Sequence, residues 1–393
     1  MQDPIVIVSA VRTPIGSLLG ELKTLSATQL GSAVIKAAVS RANLLPADIQ
    51  EVIMGCVLPA GLGQAPARQA ALNAGLPAAT PCTTINKVCG SSLKAVLFAH
   101  DSIAANSQQI ILAGGMESMT NAPYLLLKAR QGYRLGHQTL YDHMIYDGLE
   151  DAYDKGQAMG VFAEQCAEQF GFTRQQQDDY AVQSFERARF AIQEKLFANE
   201  IVPITYRNKA DEQIVTTDER PFSVDLKKMP LLPAAFAKDG TVTAGNASAI
   251  ADGAAAVILM RLSEAKKRGL VPLARIIGHA TCAKKPAEFT TAPIDAIRAL
   301  LPKINWSIAD VDLFEINEAF AVVVLAAMQT LNISPAKVNV HGGACALGHP
   351  IGATGARILV TLLAALQQRA VQRGIACLCI GGGEAIALAI ERM

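Results

Sequence analysis

The chain has 393 residues, 51% of them apolar and 18% charged, with a formal net charge of +1. That length exceeds one compact core, so two or three domains are expected, and the composition excludes a disordered chain. Near-neutral charge excludes a nucleic acid or an anionic membrane recognised through bulk electrostatics.

The chain passes almost at once into Ile5-Val6-Ile7-Val8, a first strand, with no basic presequence ahead of it. The longest apolar run, 319–328, is far short of the ~20 residues of a membrane span. Eight cysteines are too few for a disulfide framework and show no paired Cys-x-x-Cys metal spacing. Reduced thiols and a cytoplasmic location are therefore expected.

Apolar strand-like runs alternate with helix-periodic ones. A strand over 52–57 precedes a helix over 66–74, and Ile110-Ile111-Leu112-Ala113 reads as a buried strand ending in Gly114-Gly115-Met116-Glu117. This alternation predicts α/β architecture with covered sheets. Two of these segments have counterparts downstream at nearly equal offsets. Ala47-Asp48-Ile49 matches Ala309-Asp310-Val311, and Gly114-Gly115-Met116-Glu117 matches Gly381-Gly382-Gly383-Glu384. A duplicated α/β unit is expected, with halves at 1–119 (completed by 246–269) and 270–393. Between them, 120–245 is richer in aromatic, Gln and charged residues, with a helix over 174–198 and Pro221, Pro230 and Pro233 at its end. It reads as an insertion carrying substrate-binding surface.

Four loops carry candidate chemistry. Asn86-Lys87-Val88-Cys89-Gly90-Ser91 delivers a cysteine just ahead of a helix marked by Leu93, Val96, Leu97, His100, Ile103 and Ala104. A helix N-terminus lowers a thiol pKa and makes a nucleophile, although position alone leaves a buried structural cysteine open. Asn317-Glu318-Ala319-Phe320 follows a strand over 311–316, at the carboxyl end where such sheets hold ligands; singly, Asn317 also reads as a loop cap. His341 to Gly355 holds five glycines in fifteen residues before a helix over 356–366. His349 is fixed there between Gly348 and Pro350, which favours a site residue. Cys379 ends a strand followed by Gly381-Gly382-Gly383, whose N–H groups suit an oxyanion; Cys377 reads as core.

Together these strings, with Val11-Arg12-Thr13-Pro14-Ile15-Gly16, Gly114-Gly115-Met116-Glu117-Ser118-Met119 and Gly245-Asn246-Ala247-Ser248, resemble the thiolase family along the whole chain. The resemblance implies duplicated α/β halves in a layered α-β-α-β-α core with an inserted loop domain, assembled as dimers or tetramers. It implies that Cys89 attacks an acyl-CoA and carries the acyl group. His349 would activate Cys89 and, with a water held by Asn317, donate to a thioester oxygen. Cys379 would move the α-proton of the second acyl-CoA, and N–H groups of Cys89 and Gly381 would form an oxyanion hole. Ser248, Phe320, Met159 and Ala244 would line the coenzyme A channel. Coenzyme A enters as substrate, and no permanently bound cofactor is implied.

The implied activity is acetyl-CoA C-acetyltransferase, with two acetyl-CoA giving acetoacetyl-CoA. A 3-ketoacyl-CoA thiolase of longer chains, a decarboxylating condensing enzyme and a non-catalytic acyl-CoA or lipid binder are the competing readings. Two thiols and a histidine together argue against a binder, and Cys379 against the decarboxylating chemistry. The chain departs from the family at Ala158 before Met159-Gly160, where His is frequent, and at Phe289, where Met is usual. Ala249, Glu384-Ala385, His341 and Cys345 also differ. These departures bear on acyl chain length and coenzyme A contacts, and they remove no catalytic group.

Overall fold

The computed structural model describes residues 3–208 and 211–393. Nine strands build the core: β1 (Ile5–Arg12), β2 (Glu51–Gly55), β3 (Cys82–Ile85), β4 (Ile110–Ser118), β5 (Ala251–Arg261), β6 (Ala274–Ala283), β7 (Leu313–Ile316), β8 (Arg373–Ile380) and β9 (Glu384–Arg392). They hydrogen-bond in the order β7-β8-β9-β6-β1-β5-β4-β2-β3. In the first half β2 runs parallel to β4, and β4, β5 and β1 follow antiparallel. In the second, β7 runs parallel to β8, and β8, β9 and β6 follow antiparallel. The identical pattern is the duplicated unit expected from the repeated strings. The halves meet at a narrow seam, where β1 and β6 share the pairs Val6–Arg275 and Ile7–Ala274.

Eight helices position the rest: α1 (Ala27–Arg41), α2 (Pro66–Asn73), α3 (Ser91–Ala104), α4 (Met159–Phe170), α5 (Arg174–Gln193), α6 (Ala292–Leu300), α7 (Ala321–Leu331) and α8 (Thr354–Gln368). The strand residues alternate between two cores, which sorts the helices into layers. Val6, Leu112 and Ile258 face α1 and α2, whereas Ile7, Ile111 and Leu259 face α3 and α8. In the second half Leu378 and Leu388 share that central layer, and Cys377 and Ala387 face α6 and α7 on the outside. The result is the five-layer α-β-α-β-α arrangement. Both faces of the strands are covered, so β4 is buried at all nine positions and is apolar up to Met116.

Helix starts follow local chemistry. Ser26 and Gln29 form a reciprocal capping box ahead of α1, and Thr173 and Gln176 do the same for α5. The predicted helix over 174–198 is shorter than expected: it ends at Gln193, and Lys195 takes a left-handed backbone at φ 57°. The strand expected from 311 starts at Leu313, because Ile308–Asp310 forms a turn in which the Asp310 carboxylate accepts from the Ser307 N–H at 2.8 Å.

The segment between the halves is tied back into the core. The buried Arg12 of β1 binds Glu200 at 2.5 Å and Asp218 at 2.7 and 2.9 Å. Tyr180 and Ser184 of α5 donate to the buried Glu318 carboxylate at 2.8 and 2.7 Å. Such hydrogen-bonded buried charges fix one arrangement of insertion against sheet. Strand β3 ends the sheet with its outer edge unpaired among the described residues, while β7 at the other end is bridged by Val338.

Candidate active site

Cys89 sits on a strained turn between β3 and α3. Val88 has φ 47°, an outlier for a β-branched residue. The turn is held by local bonds: Asn86 Oδ1 accepts from the Val88 N–H at 2.9 Å, and Ser91 Oγ accepts from the Lys87 N–H at 2.8 Å while donating to the Val88 carbonyl at 2.7 Å. Lys87 also pairs with Glu384. Gly90 is required by proximity, since a Cβ there would stand 2.4 Å from Ile380 Cδ1. The turn therefore lies directly on the carboxyl end of β8. Cys379 is a neighbour of the Cys89 thiol, and the N–H groups of Gly381 and of Cys89 itself face the Cys89 sulfur.

His349 lies in the glycine-rich loop before α8. Its N–H donates to the Ala249 carbonyl at 2.8 Å, and Nδ1 lies 2.5 Å from Thr354 Oγ1. The Thr354 hydroxyl donates its proton to the Pro350 carbonyl at 2.9 Å. Its oxygen must then accept from Nδ1–H, which leaves Nε2 as the basic nitrogen. Nε2 is buried and makes no hydrogen bond with the protein. Ile351, two residues on, shares a small apolar cluster with Val57, Leu58 and Met119, and Cys89 packs against it.

Asn317 follows β7. Its N–H donates to the Cys377 carbonyl at 2.9 Å, but both side-chain polar atoms are buried without a protein partner. A buried amide with four unused hydrogen-bonding positions is rare outside binding sites. Cys379 is 1% exposed at the end of β8. A Cβ built on Gly381 would lie 3.6 Å from Val88 Cγ1 and 3.7 Å from Met159 Cε, so Gly381 stands between the cysteine turn and the insertion.

A cavity of about 560 Å³ includes His349 in its wall, while Cys89, Asn317, Cys379 and Gly381 are not among its lining residues. Met159, Ala244, Ser248 and Phe320, the residues expected to line a coenzyme A channel, all line it, as does Ala158. Its seam is where the segment that completes the first half meets the second: the Ser248 N–H donates to the Ala319 carbonyl at 2.9 Å, and the Ala321 N–H to the Asn246 carbonyl at 2.8 Å. Cys377 points away, with its thiol against the Pro293 carbonyl at 3.7 Å. His341 and Cys345 also lie elsewhere, His341 edge-on to Phe197 and Cys345 against Glu318.

The electrostatics correct one expectation. The helix start was expected to lower the Cys89 pKa, but burial pushes it up to about 11. The Gly381 and Cys89 N–H groups oppose that shift without cancelling it, and Glu117 adds to it. Desolvation of the thiolate outweighs the helix terminus. Burial, with Arg357 nearby, holds His349 down at about 3. Burial and the neighbouring Cys89 raise Cys379 well above the ordinary thiol range. The resting cluster is thus neutral: two thiols and one imidazole poised for proton transfer.

Several residues escaped the sequence reading. Phe236 packs so closely on Gly160 that a Cβ there would stand 2.3 Å from its ring, and it meets Phe320 edge-on at 5.9 Å. It lies in a proline-broken coil with no periodicity to mark it. Arg220 is the charged residue among those lining the cavity, held by the Cys345 and Ala244 carbonyls, each at 3.1 Å. Phe289 was expected beside the acyl pocket; it is 3% exposed and stacks edge-on behind Phe320 and against Phe162, each at 6.4 Å.

The family profile "Thiolase, N-terminal domain" matches residues 5–263, and "Thiolase, C-terminal domain" matches 270–392. The chain is 48% identical over 395 residues to an acetyl-CoA acetyltransferase of Allochromatium vinosum, with both chains covered completely. Among solved structures it is similar to the Acat5 thiolase of Ascaris suum in complex with coenzyme A, at TM-score 0.94 and 41% identity over 99% of this chain and 100% of that one. It is also similar to the Bacillus anthracis acetyl-CoA acetyltransferase, at TM-score 0.97 and 41% identity over 100% and 99%.

Proposed function

The chain belongs to the thiolase family, and from that premise we propose how its residues divide the work of condensing two acetyl-CoA to acetoacetyl-CoA and CoA. The observation that carries the reading is the Cys89 sulfur held against the Gly381 N–H with Cys379 beside it. In the first half-reaction Cys89 gives its proton to His349 Nε2, and sulfur attacks the thioester carbonyl carbon. The C–S bond to CoA breaks, and the departing CoA thiolate takes the proton of Cys379. Cys89 now carries the acetyl group, His349 is imidazolium and Cys379 is thiolate. In the second, Cys379 takes the α-proton of the incoming acetyl-CoA, and the resulting enolate attacks the acyl-Cys89 carbonyl. Cys89 leaves as thiolate and recovers its proton from His349. Each group returns to its resting state, as a ping-pong cycle demands.

Two sets of donors hold the developing charges. The N–H groups of Cys89 and Gly381 face the sulfur and stabilise the tetrahedral oxyanion formed on it. His349, with a water held by the unpartnered Asn317 amide, serves the enolate oxygen. Met159, Ala244, Ser248 and Phe320 line the path of the pantetheine arm. The names of the relatives favour acetyl-CoA, and the packed ring behind Phe320 supports a short acyl group. Thiolysis kcat/KM measured from four- to eight-carbon 3-ketoacyl-CoA is expected to be highest for acetoacetyl-CoA. A steady rise with length would overturn the short-chain reading.

A homo-oligomer is supported by two surfaces. The outer edge of β3 is unpaired among the described residues, and an unpaired edge is a template for a second copy. Tyr124, Leu126, Leu135 and Leu140 are each exposed on the insertion, Leu135 at 94%. Sedimentation equilibrium giving a monomer would exclude this. All eight cysteines are free, which supports a reducing compartment. No helix among the described residues is long and apolar enough to cross a membrane.

A further inference from the structure

Away from the cavity, the last turns of α3 meet β6 of the other half. His100, Asp101 and His279 there each bring one ligand atom within 4.8 Å of the others. Asp101 Oδ1 lies 3.1 Å from His100 Nδ1 and 3.0 Å from His279 Nε2. The two rings are edge-on, with centroids 5.3 Å apart and planes at 88°, so both nitrogens converge on the same oxygen. We propose that His100, Asp101 and His279 form a site for a divalent transition metal of the zinc class, clamping the helix that follows Cys89 to the second half of the fold.

The donor set and its spacing both argue for this class of ion. Two imidazoles and one carboxylate form a zinc-type set that leaves a fourth position open. Metal–ligand bonds of about 2.0–2.1 Å in a tetrahedron place ligand atoms about 3.3 Å apart. Two edges of the triangle are thus within a few tenths of an ångström of that spacing before any ion binds. The fourth position is accessible, because the Asp101 side chain is 53% exposed. His100 also lines a surface cavity of about 520 Å³ that gives an ion its route in.

The surrounding charges leave the site free to act. The cavity's three arginines are engaged, Arg261 by the Ile103 and Ala104 carbonyls, Arg275 by Glu391, and Arg373 by Glu391 at 3.4 Å and over the Trp306 ring at 5.0 Å. Lys94, the nearby cation, lies over the Phe98 ring at 4.5 Å.

The site is read by titrating metal-free, full-length protein with Co²⁺ and with Zn²⁺. Calorimetry gives the stoichiometry, and visible absorption reports tetrahedral Co²⁺. Cys89, His349 and Cys379 can also take such ions, so the decisive quantity is the difference between wild type and variants. His279→Ala and His100→Ala are each expected to lose one equivalent per chain and the metal-dependent rise in Tm, with metal-free thiolysis unchanged. Asp101→Asn, an isosteric change at an exposed position, is expected to bind about tenfold or more weakly. Identical stoichiometry and affinity in wild type, His279→Ala and Asp101→Asn would overturn the proposal, as would a wild type that binds no ion outside the thiol cluster.

Discussion

The Nδ1 of His349 and the Oγ1 of Thr354 stand 2.5 Å apart, with the threonine proton already committed to the Pro350 carbonyl. That accounting of one proton sets the histidine tautomer and hence which nitrogen is left basic. The same loop is held from outside. The Glu117 carboxylate accepts from the Gly352 N–H at 2.9 Å, across 235 positions of sequence. A nucleophile carried by one half and a base carried by the other are thereby registered without touching through their own backbones.

Thr354→Val keeps the shape at this position and removes the acceptor for Nδ1–H. The imidazole can then place its proton on Nε2, where it cannot take one from Cys89. A general base contributes ~10²–10⁴ in rate, so kcat is expected to fall by up to that amount with KM nearly constant. Thr354→Ser should restore most of the loss. Equal activity of the valine and serine variants would show that the hydroxyl does not set the tautomer.

The raised Cys89 pKa has a direct reading in alkylation. Burial places the thiol at about 11, above its ordinary range, and His349 lies at about 3. Raising an acid's pKa leaves less thiolate at any pH below it, and the thiolate is the reactive form. The rate of iodoacetamide alkylation of Cys89 in the free enzyme should climb about tenfold per pH unit from neutrality toward pH 10. A plateau near pH 7 would mean a preformed thiolate–imidazolium pair.

Glu117 offers a second test of how the His349 loop is held. Its Oε2 accepts from the Val57 and Gly352 N–H groups and its Oε1 from the Leu58 N–H, at 2.9, 2.9 and 3.1 Å. An amide must turn an –NH₂ toward one of these donors whichever way it is flipped. Glu117→Gln should therefore leave at least one buried N–H unpaired, costing about 1–3 kcal/mol of stability. Because one of those donors belongs to the His349 loop, kcat should fall as Tm falls. Unchanged kcat with a lowered Tm would confine Glu117 to stability.

What was legible in the sequence and what was not follows from distance along the chain. Strand and helix identities rest on local periodicity, and the repeated strings exposed the duplication, so the α/β class could be read directly. Cys89, His349, Asn317 and Cys379 were visible because each sits in a short string whose glycines and prolines constrain its own backbone. Thr354 and Glu117 were not, because their roles exist only once a loop folds onto a partner. The Cys89 pKa was misread for a related reason: helix position is local, whereas burial is decided by every element packed around the sulfur.

Cys379→Ala should separate the two half-reactions. If Cys379 moves only the α-proton and the proton of departing CoA, Cys89 still has His349 Nε2 as its base. Acyl transfer to Cys89, followed by mass spectrometry, should persist at a reduced rate while carbon–carbon bond formation falls by ~10²–10⁴. Cys377→Ala is the matched control, since that thiol faces the Pro293 carbonyl in the outer core. Parallel loss of both half-reactions in Cys379→Ala would assign the residue to the shape of the site.

Acyl chain length is expected to be set one layer behind the cavity wall. Phe320 lines the cavity, and Phe289 backs it edge-on at 6.4 Å while meeting Phe162 at the same distance. Phe289→Leu removes volume from that second layer and lets Phe320 retreat without breaking the wall. Each methylene that then finds room is worth up to ~0.8 kcal/mol, about a fourfold change in relative kcat/KM. The ratio of six-carbon to four-carbon thiolysis should rise by up to about the square of that factor, with kcat on acetoacetyl-CoA little changed. If the ratio stays fixed in Phe289→Leu and moves only when Ala158 is replaced, the limit on acyl length lies at the insertion side of the cavity.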